Sequence, residues 1–167
     1  MTQMLRKNWQ DGEWVTIPLV YNDNSETDTG FDIPKGCVIY PWEFFLIVDT
    51  VDATETIEVG ILSTESGGDA DGFIDAFSIA TGGVYNVMNM VTITDASNAI
   101  YYSANTIGDL FFAGYEWANT SGNNGCIMLK AFRGDGLAES ISYTCSAGSD
   151  VFVGRLCFRL HFTPWDV

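Results

Sequence analysis

The stretch TIEVGILSTESGGDADGFIDAFSIATGGV, which spans residues 56–84, decides the fold class of this chain. In its first part Ile57, Val59 and Ile61 recur at every second position, which is the period of a half-buried β-strand. Glycines and acidic side chains follow, and this mixture is typical of turns. The stretch therefore predicts a strand that leads into a turn-rich acidic loop, with residues 72–80 interpreted as a short helical turn.

Segments of the same type recur along the whole chain. They are rich in Val, Ile, Tyr, Phe and Thr, and clusters of Gly, Asn, Asp and Ser separate them. The predicted strands are residues 14–21, 37–51, 56–62, 84–93, 99–103, 110–115, 126–132, 139–145 and 151–162. Many short strands with frequent turns favour an all-β protein, in particular a jelly-roll-like β-sandwich.

The length of 167 residues fits one domain. Residues 1–10 hold Arg6 and Lys7 but little apolar surface, so they are predicted to form an N-terminal arm, and residues 11–167 to form the β-sandwich domain. The apolar region of a secretion signal does not follow Arg6 and Lys7, because polar residues come next, and no apolar run approaches the roughly 20 residues of a membrane-spanning helix. We therefore expect synthesis in a cytoplasm and no membrane partner.

The chain is strongly acidic, because 22 Asp and Glu residues stand against 7 Lys and Arg residues, which gives a formal net charge of -15. Affinity for nucleic acid depends on Lys and Arg side chains that neutralise phosphates, so a nucleic-acid partner is not expected. A dense negative charge instead keeps many copies of a protein soluble before they assemble.

The four cysteines, Cys37, Cys126, Cys145 and Cys157, form no CxxC pair, and His161 is the only histidine. This pattern does not match a zinc site. Without a secretion signal, the cysteines are interpreted as buried free thiols rather than as disulfides. A GxSxG nucleophile elbow and a phosphate-binding GxxxxGKS/T loop are both missing from the sequence, which favours a protein that is not an enzyme.

The final strand, VFVGRLCFRLHF at residues 151–162, has the clearest two-faced pattern. The alternation predicts a core-facing side with the members Phe152, Leu156, Phe158, Leu160 and Phe162. Arg155, Arg159 and His161 share the opposite side with Cys157. Two interpretations stay open: the arginines pair with acids on adjacent strands, or they form a basic stripe that docks on an acidic neighbour or a second copy. The candidate interface residues are Arg6, Lys7, Lys130, Arg133, Arg155 and Arg159.

Alternate aspartates in the glycine-bearing segment, Asp69, Asp71 and Asp75, are a candidate calcium site, because carboxylate oxygens are ligands that calcium prefers. Their spacing does not match an EF-hand loop. The alternative interpretation is a set of solvated turn carboxylates. No other cofactor is predicted.

Residues 31–85, FDIPKGCVIYPWEFFLIVDTVDATETIEVGILSTESGGDADGFIDAFSIATGGVY, resemble small head proteins of tailed bacteriophages. The resemblance lies in the order of the motifs: an IPKG turn leads into a long strand, and a TIEVGILSTESGGDADGF segment follows. The closing GRLCFRLHF, residues 154–162, is similar to the strand that ends such proteins. The resemblance implies a non-enzymatic virion protein with a jelly-roll or related β-sandwich fold.

The role that the resemblance suggests is capsid decoration, also called cement. The implied partners are the major capsid protein and further copies of this chain, with trimers favoured, on the outer capsid surface of the virion. Two alternatives stay open. One is a carbohydrate-binding, host-attachment β-sandwich that uses Tyr115, Trp117 and residues 119–124. The other is a tail or connector component.

Overall fold

The computed structural model describes residues 12–21, 24–51, 55–79, 81–89, 92–95, 100–103, 107–115, 127–135, 139–146 and 151–162. Regular structure in these ranges consists of strands and one short 3-10 helix, Val87–Asn89. The strands are β1 (Glu13–Val20), β2 (Thr27–Asp32), β3 (Cys37–Thr50), β4 (Glu55–Ile61), β5 (Asp69–Ile79), β6 (Gly83–Asn86), β7 (Thr92–Asp95), β8 (Ile100–Ser103), β9 (Phe112–Tyr115), β10 (Ile127–Leu129), β11 (Phe132–Arg133), β12 (Ser140–Ser146) and β13 (Val153–Phe162). A helix with the length and apolarity of a membrane crossing does not occur in these ranges.

The strands pair in antiparallel fashion. A five-stranded sheet has the order β1-β13-β3-β11, and β6 pairs with the C-terminal half of β3. A four-stranded sheet has the order β2-β12-β4-β5, and two further pairs, β7-β8 and β9-β10, stand apart from these sheets. The prediction of an all-β protein is therefore confirmed for the described residues.

A cluster of phenylalanine rings joins the two larger sheets. The ring of Phe44 in β3 lies 5.5 Å from that of Phe158 in β13 and 5.2 Å from that of Phe73 in β5, measured between centroids. Phe111, which precedes β9, lies 4.9 Å from Phe73 and 5.2 Å from Phe44. All four side chains are fully buried. The two sheets therefore share one apolar core.

The final strand has the two-faced pattern that its sequence predicts. Leu156, Phe158 and Leu160 of β13 are buried in the shared core, whereas Arg155 and Arg159 at the alternate positions are only half-buried. The strand lies between β1 and β3, so its core-facing side packs with residues from both neighbours. The predicted assignment of faces is confirmed.

Three cysteines, Cys37, Cys145 and Cys157, are free thiols, and the first two are buried as predicted. Cys126 lies outside the described residues. Burial raises the pKa of the Cys37 thiol to about 11, and burial together with the nearby Glu55 raises the pKa of Cys145 to about 12. These two thiols therefore stay protonated and act as small apolar core groups.

The acidic segment after β4 is a hairpin connection followed by a strand. β4 ends at Ile61, residues 62–68 form the turn, and β5 begins at Asp69. Within the turn, the N–H of Gly68 donates to the carbonyl oxygen of Glu65 over 3.0 Å. The predicted turn between strands is therefore present, but it is shorter than the sequence suggests.

The predicted loop over Asp69–Asp75 and the helical turn over residues 72–80 are both wrong, because residues 69–79 belong to β5 and residue 80 lies outside the described residues. β5 pairs with β4 along its length and buries Phe73 and Ile74 completely. Aspartate and glycine favour turns in isolation, but sheet pairing and burial outweigh that local preference here.

Three other regions differ from the predicted strands. β2 has the polar sequence TDTGFD, which does not predict a strand, and it forms by pairing with β12 at the edge of its sheet. The predicted strand over residues 84–93 is interrupted after β6, because the side-chain oxygen of Asn86 accepts a hydrogen bond from the N–H of Met88 and forms a local turn. The predicted strand over residues 126–132 divides into β10 and β11.

Candidate interaction surface on the outer sheet face

The outer face of the five-stranded sheet is the side that points away from the phenylalanine core. Residues directly opposite each other on paired strands project to the same side. Cys157 of β13 lies opposite Thr16 of β1 and Phe45 of β3, so all three share the outer face. The same register assigns to this face Trp14, Thr16, Pro18, Val20, Phe45, Ile47, Val84, Arg133, Val153, Arg155, Cys157, Arg159 and His161. The outer face therefore extends over all five strands.

A bulge of four residues in β3 interrupts the pairing with β13 at one end of this face. Residues 40–43 of β3 lie opposite the single residue Arg159. Pro41 has no N–H to donate, and such a residue is tolerated inside a sheet at a bulge. The side-chain amide of Asn86 in β6 donates to the carbonyl oxygen of Trp42 over 3.0 Å and so fixes the bulge from the neighbouring strand.

Three rings form a continuous row on the bulge. Tyr40 stacks on Trp42 with ring centroids 4.5 Å apart and an interplanar angle of 18°. The edge-to-face contact between Tyr40 and His161 spans 5.0 Å at 69°. Trp42 is 52% exposed although it is stacked on Tyr40. We call Trp42, Tyr40 and His161 the ring row.

The charged side chains of the outer face are paired within the chain. Arg155 Nη1 lies 2.7 Å from a carboxylate oxygen of Asp49, and Arg159 Nη1 lies 3.2 Å from Oε1 of Glu43. His161 Nε2 hydrogen-bonds to the other oxygen, Oε2, of Glu43. The interpretation that the arginines pair with acids of adjacent strands is therefore confirmed. Docking of Arg155 and Arg159 on an acidic neighbour stays a prediction. The ion pairs with Asp49 and Glu43 reduce the positive charge that the two arginines can offer to such a partner.

The other predicted interface residues lie in different places. Arg133 of β11 is exposed and stands opposite Val38, which in turn lies opposite His161, so it extends the outer face beyond the ring row. Lys130 is exposed after β10, and its backbone N–H donates to the carbonyl of Phe111 over 2.8 Å. The predicted arm with Arg6 and Lys7 lies outside the described residues, as do Trp117 and residues 119–124. Tyr115 is the last residue of β9.

The opposite end of the outer face is aliphatic. Val20, Val84 and Val153 are 56%, 68% and 45% exposed, and Pro18 and Ile47 lie beside them in the strand register. We call these five residues the aliphatic end. The sequence holds a signal for it: the unbroken run FFLIV in β3, residues 44–48, is typical of a strand covered on both faces, whereas only one of its faces looks into the phenylalanine core.

The aspartates of the candidate calcium site lie together on the other sheet. Burial, the hydrogen bond and negative charge of Asp71, and the charges of Asp109 and Asp75 together raise the pKa of Asp69 to about 6. Burial and the charges of Asp71 and Asp109 also raise the pKa of Asp75. Glu58 of β4 has a raised pKa because of burial and the charges of Asp71 and Asp75. These side chains therefore form a cluster in which like charges repel each other.

Among the described residues, no group of three or more His, Cys, Asp or Glu side chains has an arrangement that could hold a metal ion. Asp69, Asp71 and Asp75 belong to one strand rather than to a loop that wraps around an ion. Calcium binding by these residues stays a prediction.

Replacing Asp69 with asparagine should stabilise the protein above pH 6. A carboxyl whose pKa is raised on folding contributes stability while it is protonated, and this contribution is lost as the pH rises through about 6. We expect a gain in unfolding free energy of at most about 1 kcal/mol at pH 7.5, because solvent screens this partly exposed group, and no gain at pH 4. Urea unfolding at several pH values measures the difference.

Asp28→Asn is the control with the opposite sign. The hydroxyl of Ser140 and the N–H of Gly30 donate to the Asp28 carboxylate and lower its pKa, so its contribution is present at neutral pH and lost on acidification. Asp28→Asn should therefore lower the stability at pH 7.5. Stabilisation by both variants at that pH would reflect only the reduced net charge. It would contradict the opposite effects of folding on the pKa values of Asp69 and Asp28.

Comparison with known proteins assigns no family to this chain. Protein-family models, curated proteins and solved structures all give no match. The resemblance to phage head proteins therefore stays a prediction, and the candidate site rests on the geometry of the outer face.

Proposed function

We propose that this chain is a non-enzymatic structural protein of a tailed-bacteriophage virion, which decorates the outer surface of the capsid and stabilises the head. The resemblance of residues 31–85 and 154–162 to phage head proteins supports the proposal. In this proposal the chain is a β-sandwich of jelly-roll type with residues 1–10 as an arm. The observation that carries it is the exposed aliphatic end of the outer face.

The aliphatic end has the properties of a surface that a protein partner covers. Complete burial of an exposed valine side chain favours association by roughly 1.5 kcal/mol or more. Val20 lies directly opposite Val153, and Val84 lies two strands from Val153 on the same face. The neighbouring Arg155–Asp49 pair is already neutral, so the partner need not supply a compensating charge. Predominantly apolar surfaces of this kind are typical of permanent rather than transient interfaces.

The distribution of charge supports a position on the outside of a shell. When the aliphatic end contacts the capsid, the acidic cluster around Asp71 on the other sheet is free to face solvent, where it repels other free copies. Lys130, Arg133 and the arm with Arg6 and Lys7 are the proposed contacts with acidic capsid loops. The partners are the major capsid protein and further copies of this chain, grouped as trimers. Many such contacts together give a strong attachment.

Locating the protein in a reconstructed phage particle tests the proposal. We expect density for this fold on the outer head surface, with a copy number comparable to that of the capsid subunits. A copy number that matches one ring at the neck or tail would assign the protein to the connector or the tail instead. Absence from the purified particle would contradict a virion role altogether.

The double substitution Val84→Asp and Val153→Asp should abolish incorporation into virions. Docking would then bury two carboxylates without partners, which costs several kcal/mol. The matched control is Thr64→Asp with Ser66→Asp, which adds the same charge to exposed turn positions away from the outer face and should leave incorporation unchanged. Quantitative mass spectrometry of particles assembled with each variant gives the ratio to capsid protein. Wild-type incorporation of the valine variant would rule out the aliphatic end as the docking surface.

A further inference from the structure

We infer that the ring row, together with Glu43, is a binding site for an uncharged glycan. The site lies on the β3 bulge, at the end of the outer face opposite the aliphatic end. Along β1, Trp14 and Val20 mark the two ends, and six residues of strand separate them by roughly 20 Å. The two ends of the face are therefore separate sites, and this inference does not depend on the proposed function.

The ring row holds the exposed indole ring of Trp42 in place before any ligand arrives, and the indole face turned away from Tyr40 is the flat surface that it offers. Trp42 stacks on Tyr40, Tyr40 packs against His161, and His161 hydrogen-bonds to Glu43. The amide of Asn86 holds the backbone of the bulge at Trp42. The π-face of an indole ring carries partial negative charge and attracts the weakly positive C–H groups that line one face of a pyranose ring. Little side-chain entropy is lost when a ligand binds to a platform of this kind.

Glu43 supplies hydrogen-bond acceptors beside the rings. A carboxylate has about four lone-pair sites, and Arg159 and His161 occupy one on each oxygen of Glu43. The remaining sites can accept hydrogen bonds from sugar hydroxyls, and the Glu43 side chain is 19% exposed, so a ligand can reach it. Aromatic surface with a few fixed polar groups is the usual composition of a small-ligand site.

The charge balance selects the class of glycan. Arg159 and His161 both contact Glu43, so the positive charge of Arg159 is opposed at the site. The whole chain has a formal charge of -15, which repels acidic polysaccharides at a distance. An uncharged glycan experiences no such repulsion and matches both the rings and the carboxylate.

Native affinity electrophoresis of the full chain tests the inference. The probes are gels that contain hydroxyethylcellulose, soluble starch or galactomannan as neutral polysaccharides, and polygalacturonate as an acidic one. We expect at least one neutral polysaccharide to retard the wild-type protein, and polygalacturonate to leave its mobility unchanged. Trp42→Ala should weaken this retention by about tenfold or more, since it removes the stacking platform. Trp42→Phe, which keeps a ring, should restore most of the retention.

The control variant is Val84→Ala, which lies at the aliphatic end and should bind polysaccharide as the wild type does. Normal mobility of the wild-type protein in all three neutral gels overturns the inference, and so does equal retention of wild type and Trp42→Ala. Retention by polygalacturonate alone overturns the assignment to uncharged glycans. Loss of virion incorporation in Trp42→Ala without any polysaccharide binding would show that the ring row contacts a protein instead. The valine-to-aspartate variant at the aliphatic end should keep its retention, which separates this test from that of the proposed function.

Discussion

Replacing Phe44 with alanine is expected to destabilise the protein by about 3–5 kcal/mol, the usual cost of removing a fully buried phenylalanine ring. Phe44 is completely buried, and its ring contacts Phe73, Phe111 and Phe158, which come from three different parts of the chain. The vacated space lies between the two sheets, where the surrounding backbone is held by strand pairing and cannot collapse fully. A loss of this size is a large fraction of the stability of a typical domain.

Urea unfolding followed by tryptophan fluorescence measures this loss. Phe77→Ala is the matched control, because Phe77 is only half-buried and its ring contacts Tyr85 at 5.2 Å rather than the central cluster. We expect the control to lose less than half as much stability. An equal effect of the two substitutions would mean that the core is not centred on Phe44.

Replacing Gly60 with alanine is expected to cost about 3 kcal/mol or more, at the upper end for overpacking substitutions. A Cβ at this position would lie 1.9 Å from the carbonyl oxygen of Asp69 and 2.5 Å from the carbonyl carbon of Ala70. Both atoms belong to the backbone of β5, so no side-chain rotation relieves the clash. The hairpin between β4 and β5 must open or shift its register.

Gly83→Ala provides the control for this substitution. The nearest atoms to a Cβ at Gly83 are those of the Tyr85 ring at 3.7 Å, an ordinary van der Waals contact. We expect Gly83→Ala to change the unfolding free energy by less than about 0.5 kcal/mol. Comparable stability of the two variants in thermal and urea unfolding would show that β4 and β5 are not packed as closely as described.

The parts of the fold that follow from local alternation can be predicted from the sequence. β13 is the clearest case, because apolar and polar residues alternate along it and it is covered by the core on one side only. β5 is the opposite case. Its aspartates and Gly72 suggest a loop, and only the long-range pairing with β4 and the burial of Phe73 make it a strand. Information of that kind is absent from the local sequence.

The candidate site is harder to predict from the sequence than the strands are, because it depends on how the strands align with each other. The alternation predicts Arg155 and Arg159 on one face, where they lie, yet their acidic partners Asp49 and Glu43 follow from how β3 aligns with β13. The exposure of Trp42 depends on the bulge in β3, for which Pro41 is the local sequence signal, but the length of the bulge follows from the pairing with β13. The aliphatic end could have been found from the unbroken apolar run of β3.

The acidic cluster has a consequence for aggregation. β5 is the terminal strand of its sheet, and a bare terminal strand is a template on which a second molecule can extend the sheet. The backbone N–H groups of Gly108 and Leu110 donate to the carbonyl oxygens of Phe73 and Gly72 in β5. The negative charges of Asp69, Asp71 and Asp75 along the same strand repel the equally acidic strand of a second molecule. Acidification below about pH 6 neutralises Asp69 and relieves the repulsion that strains the native fold. The same protonation of Asp69 therefore also weakens the charge repulsion that keeps concentrated molecules from joining edge to edge.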